Sequence, residues 1–345
     1  MLQTSERINH ETVKAPRRFG VVVIGRNEGA RLVTCLRSVS TADVVVYVDS
    51  NSTDGSVQAA REAGADIVEL DLSTPFTAAR ARNAGFARLM TIIPDLPYVQ
   101  FVDGDCQLVA GWLGAAIDFL VRQTDAAAVC GRLRERYPER SVYNWLCDRE
   151  WDRPNGEVHA FAGNVMVRAV ALKSVGGYRE DVIAAEEDEL CVRLRQANWR
   201  IWRLPDEMAL HDAAMLHFGQ WWRRTRRAGY AFAQGAYLHG AWPERHFVHQ
   251  ACRAAVWGLL IPFVAIAATI AAPFGWVAWL IYPLQLARLM INNSGSPADR
   301  ARLACFQLLA RFPEGLGLAM FWRDRLLRRS PQLIEHKAIP TSRNA

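Results

Sequence analysis

Gly20-Val-Val-Val-Ile-Gly25 is an uninterrupted β-branched run closed by glycine. The design returns in Asp43-Val-Val-Val-Tyr-Val-Asp49, Ala65-Asp-Ile-Val-Glu-Leu70, Tyr98-Val-Gln-Phe-Val-Asp103 and Ala126-Ala-Ala-Val-Cys-Gly131. Continuous apolar runs of this length suit strands buried on both faces of a parallel sheet, because a strand with one wet face would alternate. Helix-like segments separate them at Ala30–Ser40, Asp54–Ala63, Thr77–Met90 and Gly111–Arg122. Strand–helix alternation gives right-handed crossovers, so the fold class is α/β: a doubly wound, mostly parallel sheet in three α/β/α layers. Ligands of such sheets sit beyond the carboxyl ends of the strands. The polar residues that follow each apolar run are therefore the ones to read.

The first run opens into Gly25-Arg-Asn27-Glu28-Gly29 and the second into Asp49-Ser-Asn-Ser-Thr-Asp54-Gly55. Polar loops at strand ends can bind a nucleotide, with Asp49 accepting from a base or ribose hydroxyl, although Asp54-Gly55 is also ordinary turn and cap chemistry. The fourth run ends in Asp103-Gly-Asp105, two carboxylates around a glycine that permits a tight turn. Such a pair can place one oxygen on a ribose and another on a hard cation, Mg²⁺ or Mn²⁺, which would neutralise a leaving diphosphate. In isolation an Asp-x-Asp is more often a solvated loop; its place after a buried strand raises its interest.

Residues 132–215 break the alternation with aromatics and turn residues, followed by helices over about Glu186–Ala197 and Gly219–Leu238. The last third differs again: residues 254–287 carry no charge over 34 positions. One helix of that length would measure about 51 Å, too long for a hydrocarbon core of about 30 Å. Pro273-Phe-Gly275 divides the stretch, so an apolar hairpin over 254–291 is expected, either a membrane hairpin or a buried hairpin of a soluble protein. Arginines flank both ends, and an even number of crossings would keep both flanks cytosolic. Residues 303–329 alternate apolar and Arg positions, the pattern of an interfacial helix on anionic lipid.

Charge divides the same way. Residues 1–216 hold 25 basic and 30 acidic side chains, and residues 217–345 hold 16 and 5, so the net +6 averages an acidic part and a strongly basic one. The basic part is expected to meet an anionic surface. Nucleic acid is not expected, because the positive charge brackets an apolar hairpin and not a polar groove. Seven cysteines without a CxxC pair argue against disulfides and point to a reducing compartment. Met1 to Phe19 is polar, without the apolar core of a signal peptide.

Taken in order, Gly25-Arg-Asn-Glu, Val48-Asp-Ser-Asn-Ser-Thr-Asp-Gly55, Asp103-Gly-Asp105, Phe161-Ala-Gly-Asn164, Gly176-Gly-Tyr178 and Glu186-Glu187-Asp-Glu-Leu190 resemble a family 2 glycosyltransferase over roughly residues 19–240. The resemblance implies a GT-A fold and inverting transfer of a sugar from a nucleotide-diphospho-sugar. It places Asn27, Glu28 and Asp49 along the nucleoside, Arg80, Arg82 and Asn83 on the donor, Asp103 at the ribose and Asp105 on a divalent metal, Mn²⁺ or Mg²⁺. Family members often carry two adjacent Asp after the second strand; here the second is Ser50. The resemblance makes Glu187, beside Glu186, the general base, since base work favours a carboxylate whose pKa is raised by burial. Asp188 and Glu189 follow directly, and part of this acidic cluster is ordinary matching to a helix dipole. Gly176, Gly177 and Tyr178 fall on the acceptor side. His211 fits a second metal ligand better than His217. Arg223 and Arg224, in Gln220-Trp-Trp-Arg-Arg224-Thr-Arg-Arg227, suit a diphosphate, or equally lipid headgroups.

The expected protein is thus a polar tail (1–18), a nucleotide-sugar domain (19–240), a helical region with the apolar hairpin (241–330) and a tail (331–345), held at the cytoplasmic face of the cell membrane. Its partners would be a nucleotide-sugar and a glycan or lipid-linked acceptor. A nucleotidyltransferase shares such a sheet, but the Gly-rich phosphate loop expected after strand one is missing from Gly25-Arg-Asn-Glu-Gly29. An inactive membrane scaffold is opposed by the intact Asp103, Asp105 and Glu187.

Overall fold

The computed structural model describes residues 17–329 apart from 72, 75 and 76. The tail read as 1–18 (but for its last two residues) and the tail 331–345 lie outside the described residues. Within them, nine strands form one sheet: β1 (Phe19–Gly25), β2 (Val44–Asp49), β3 (Asp66–Glu69), β4 (Tyr98–Asp103), β5 (Cys106–Leu108), β6 (Ala126–Glu135), β7 (Gly156–Glu157), β8 (Val165–Arg168) and β9 (Arg200–His211). The helices that pack on it are α1 (Ala30–Ser38), α2 (Ser56–Glu62), α3 (Ala78–Ile92), α4 (Trp112–Arg122), α5 (Val142–Glu150), α6 (Ala169–Ser174) and α7 (Glu186–Gln196); α8 (Phe218–His239) follows and packs on the C-terminal helices. The strand order is β3-β2-β1-β4-β8-β6-β9-β5, with β7 on β9.

The half β3-β2-β1-β4 is wholly parallel, as its unbroken valine runs require: Val21, Val22, Val23, Val46 and Val48 are fully buried. The other half is mixed. β8 runs antiparallel between β4 and β6, β9 pairs parallel with β6, and the end of β9 meets β5 antiparallel. Register sets the site. Gly25 is level with Asp49, and Ile24 with Asp103, so three polar loops open along one sheet edge. Cys106 stands opposite His211, which brings the 103–105 turn to the end of β9.

The C-terminal region begins with a 24-residue helix, Val248–Ala271, long and apolar enough by length and composition to cross a membrane. Pro262 does not break it. A proline withholds one backbone N–H and crowds the carbonyl four residues earlier, and the helix absorbs this in a π-turn over Val256–Leu260. The chain then doubles back through Gly275–Leu280 and the helix Ile281–Asn292, where Pro283 sits harmlessly in the first turn. Trp279 Nε1 donates to Thr269 Oγ1 (3.1 Å) and Tyr282 donates to the Trp257 carbonyl (3.0 Å), which closes the hairpin.

Residues 303–329 differ from the single interfacial helix their pattern suggests. They belong to two helices, Pro297–Leu309 and Arg311–Leu326, and the second is an internal clamp. A Cβ on Gly317 would lie 2.0 Å from the Arg226 carbonyl oxygen, one on Gly229 2.0 Å from that of Glu314, and one on Gly258 2.0 Å from that of Arg311. Backbones that close leave no room for side chains. The helix therefore joins α8 to the apolar hairpin; its outward residues include Leu316, Trp322 and Leu326.

Candidate active site

Arg82 organises the site. Its side chain is 2% exposed, carried inward by the second turn of α3, which Thr77 caps by accepting from the Arg80 N–H. Nη1 lies 2.8 Å from Glu186 Oε1 and 3.0 Å from Glu187 Oε1, and Nη2 lies 3.0 Å from Asp103 Oδ1. Burial works against the charge on Arg82, but Glu187, Asp103 and Glu186 outweigh it and hold the guanidinium protonated. One buried cation thus draws together the end of β4 and the start of α7. Glu187 keeps an excess of negative surroundings: burial, then the neighbouring Glu186, pushes it up to about 8, against the pull of Arg82.

The 103–106 turn is pinned from below. The Asp103 N–H donates to Asn164 Oδ1 (3.1 Å), and Asn164 Nδ2 donates to Cys106 Sγ (3.2 Å). Gly163 has to be glycine, because a Cβ there would stand 2.5 Å from Asp103 Oδ2 and 2.6 Å from Arg82 Nη2. Asp105 is buried, and its Oδ2 lies 3.1 Å from His211 Nε2. Glu135 Oε2 stands 3.7 Å from the other ring nitrogen, and Trp151 packs edge-on to the imidazole at 4.8 Å. Asp105, Cys106 and His211 place ligand atoms within 4.8 Å of one another. Burial, with Asp105 and Asp103 adding to it, raises the Cys106 thiol far above its usual range. The carboxylate oxygen of Asp105 and the imidazole nitrogen of His211 suit a divalent cation such as Mn²⁺.

The loops that follow β1 and β2 are stapled to each other. Asn27, at φ 55°, donates its N–H to Ser52 Oγ (2.9 Å) and accepts from the Thr53 N–H (2.7 Å). Asp49 accepts from the Tyr47 hydroxyl (2.9 Å) and the Ser52 N–H (2.8 Å). Glu28 is buried and pairs with Arg31 at 2.8 Å.

Other candidates are placed apart or committed to structure. Arg80 reaches the Thr74 carbonyl (2.7 Å) and not the carboxylates. Asn83 clasps the Tyr178 backbone, donating to its carbonyl (2.8 Å) and accepting from its N–H (2.9 Å). Gly176 and Gly177, at φ 76° and 75°, turn the chain after α6. Tyr178 is buried edge-on to Phe101 and lies 5.5 Å from the Arg82 guanidinium, so it walls Arg82 in. Arg224 forks onto Glu150 (2.8 and 3.1 Å), beside the half-buried Arg223. His217 caps α8 and stands outside the metal-ligand group. Of the four acids opening α7, Glu189 is taken by Arg193 (2.7 Å) and His239 (3.0 Å), and burial pushes Asp188 up to about 7. The structure adds Asn164 and Glu135 to the site. Asn164 ends the Phe161-Ala-Gly-Asn164 motif, whereas Glu135 has no local signal, since only the β6–β9 register brings it to His211.

Comparison with known proteins bears on the fold. Residues 20–165 match the family model described as Glycosyl transferase family 2. Among solved structures, the fold is similar to the mannosyltransferase PcManGT from Pyrobaculum calidifontis in complex with GDP-Man and Mn²⁺, at 20% identity over 87% of each chain with a TM-score of 0.58. Looser likenesses are S. aureus TarS 1–349 in complex with UDP (15% identity, 89% of this chain and 92% of that one, TM-score 0.48) and glucosyl-3-phosphoglycerate synthase from Mycobacterium tuberculosis in complex with Mn²⁺, UDP and glucosyl-3-phosphoglycerate (17%, 65% and 80%, TM-score 0.46). The sheet and its flanking helices have the GT-A fold. Residues 20–165 match a family 2 glycosyltransferase domain, and the chain continues beyond them into a C-terminal helical region.

Proposed function

We propose that the protein transfers a sugar, with inversion, from a nucleotide-diphospho-sugar to a glycan or lipid-linked acceptor at the cytoplasmic face of the cell membrane. The observation that carries this reading is the convergence of Asp103, Glu186 and Glu187 on buried Arg82 beside the Asp105–His211 pair. Asp103 binds the ribose, and the loops at Asn27 and Asp49 hold the nucleoside. Asp105 and His211 would hold Mn²⁺ or Mg²⁺, which offsets charge on a diphosphate when bound. Support for that ion comes from the donor set and from the Mn²⁺ in the mannosyltransferase complex of similar fold.

Glu187 takes the proton of the acceptor hydroxyl as its oxygen bonds to the anomeric carbon. On the opposite face the bond from that carbon to the diphosphate oxygen breaks, and the nucleoside diphosphate leaves. A single displacement of this kind inverts the centre. A raised carboxylate is the better base for the task, because its proton affinity approaches that needed at neutral pH. The exposed hairpin, with Phe263, Ile270, Phe274 and Leu284 outward, supports membrane attachment. The test is release of nucleoside diphosphate from a panel of nucleotide-sugars with Mn²⁺. No release from any donor, together with no effect of Asp105→Ala on donor binding, would refute the reading.

A further inference from the structure

Away from the carboxylates, a cavity of about 790 Å³ lies between α5 and α8 on one side and the C-terminal helices on the other. Its size falls within the range of about 300–1,000 Å³ that small-molecule sites occupy. Its composition is two-sided. Trp257, Leu289 and Phe306 give it an apolar lining, while five arginines face three acids across the remainder. Three of those arginines are matched: Arg224 on Glu150, Arg311 on Glu314 at 2.5 Å, and Arg149 on Asp299 at 4.0 Å. Arg253 shares Glu314 with Arg311, and its buried Nε has no hydrogen-bond partner among the described residues. Burial lowers the proton affinity of Arg311, and Arg253 adds to that effect although Glu314 opposes it. Two guanidinium groups sharing one buried carboxylate cost free energy unless a further anion joins them.

The cavity's position narrows the anion. Trp257 and Leu289 stand on the two arms of the apolar hairpin, whose adjoining residues Leu260 and Ile291 are exposed. The opposite wall is the 150–153 segment: Glu150, Asp152 and Arg153 line the cavity while Trp151 packs against the metal-pair residue His211. One wall therefore belongs to the hairpin and the other to the chemistry. Guanidinium groups pair with phosphate oxygens through two parallel hydrogen bonds.

We propose that this cavity seats a single-chain lipid phosphate, with the phosphate on Arg253 and the first carbons of the chain against Trp257, Leu289 and Phe306, and that this lipid carries the acceptor to the sheet. The proposal rests on the glycosyltransferase reading above, to which it adds the acceptor's class and seat.

Isothermal titration of the full-length protein in nonionic detergent tests it, with dodecyl phosphate, dodecanol and inorganic phosphate as separate probes. Dodecyl phosphate should bind saturably, and the other two at least about tenfold more weakly, because each offers only half of what the site recognises. Leu289→Trp, which fills the apolar end, and Arg253→Gln, which removes the cation that shares Glu314, should each weaken dodecyl phosphate about tenfold. Mn²⁺-dependent binding of nucleoside diphosphate should stay unchanged in both, which also shows that the variants fold. Dodecyl phosphate binding no tighter than dodecanol, or equally tight to wild type and both variants, overturns the proposal. Loss of nucleoside diphosphate binding in the wild type would instead count against the donor-site reading and leaves the lipid measurement to be judged separately.

Discussion

Arg82 is where three segments far apart in sequence are held to one geometry, and each contact is to a carboxylate that would otherwise repel its neighbours. Two predictions follow from its surroundings. Gly163→Ala forces a methyl group between Asp103 and Arg82, whose mutual lock prevents either from swinging aside. Overpacking of this kind costs about 1–3 kcal/mol. Turnover should fall at least about tenfold, since the carboxylate set is displaced directly. Steady-state kinetics and thermal unfolding of G163A check both effects. The second prediction concerns pH. Glu187 has a folded pKa of about 8 against an ordinary 4.5, so the folded state holds its proton more tightly. Its stabilising contribution is complete below about pH 4.5 and is lost as pH rises through 8. Melting temperatures of wild type should therefore fall more steeply from pH 5 to pH 9 than those of Glu187→Gln, about the range over which the linkage acts. Catalysis moves in the opposite sense: the base works only when deprotonated, so kcat/KM should rise with pH toward about 8. A flat rate profile with equal melting slopes would remove Glu187 from the role of base.

At the scale of elements, much of the fold was legible because periodicity and burial coincide. The valine runs of β1, β2 and β4 and the four helices between Ala30 and Arg122 lie where unbroken apolar runs and amphipathic stretches put them. β5, β7 and β8 were not legible: they span three, two and four residues and acquire strand character only by pairing with longer neighbours. The loop carboxylates could be read because each follows a buried strand. The bonds of Asn83 to Tyr178 and the closeness of Glu135 to His211 are tertiary, and no spacing announces them. The clamp helix Arg311–Leu326 was misleading for a physical reason. Its arginines resemble a lipid-facing stripe, yet Gly315 and Gly317 face inward and let it sink onto Gly258 and α8. Gly317→Val and Gly229→Val should each destabilise the protein by at least about 1–3 kcal/mol. Their effects should add incompletely, since both push the same helix off the same partner. Thermal unfolding with limited proteolysis reads this; release of a C-terminal fragment from the variants, with the GT-A domain left intact, is the expected pattern.

On the scale of the whole molecule, the charge division acquires a structural meaning. The acidic part holds a sheet whose carboxylates converge at one edge, and the basic part surrounds an apolar hairpin docked to α8 through a helix with almost no intervening space. Attachment through exposed Leu, Ile, Phe and Trp is insensitive to salt, whereas attachment through arginines is screened within about 8–10 Å at physiological ionic strength. Membrane-bound protein should therefore resist a high-salt wash and leave with detergent. Full release by salt alone would assign attachment to the arginines, and recovery in the soluble fraction without either treatment would deny it. Replacing Phe263 and Ile270 together by Lys should shift the protein toward the soluble fraction while nucleoside diphosphate binding persists, because both side chains face outward.

On the proposed mechanism, one site binds a metal-linked nucleotide-sugar through Asp105 and completes transfer through Glu187. Parallel measurement of Mn²⁺-dependent nucleoside diphosphate binding and of donor turnover, in wild type, Asp105→Asn and Glu187→Gln, separates these roles. Glu187→Gln should bind within about twofold of wild type while turnover drops by at least about 10². Asp105→Asn should lose both. Undiminished turnover in Glu187→Gln, or undiminished Mn²⁺-dependent binding in Asp105→Asn, would contradict the account.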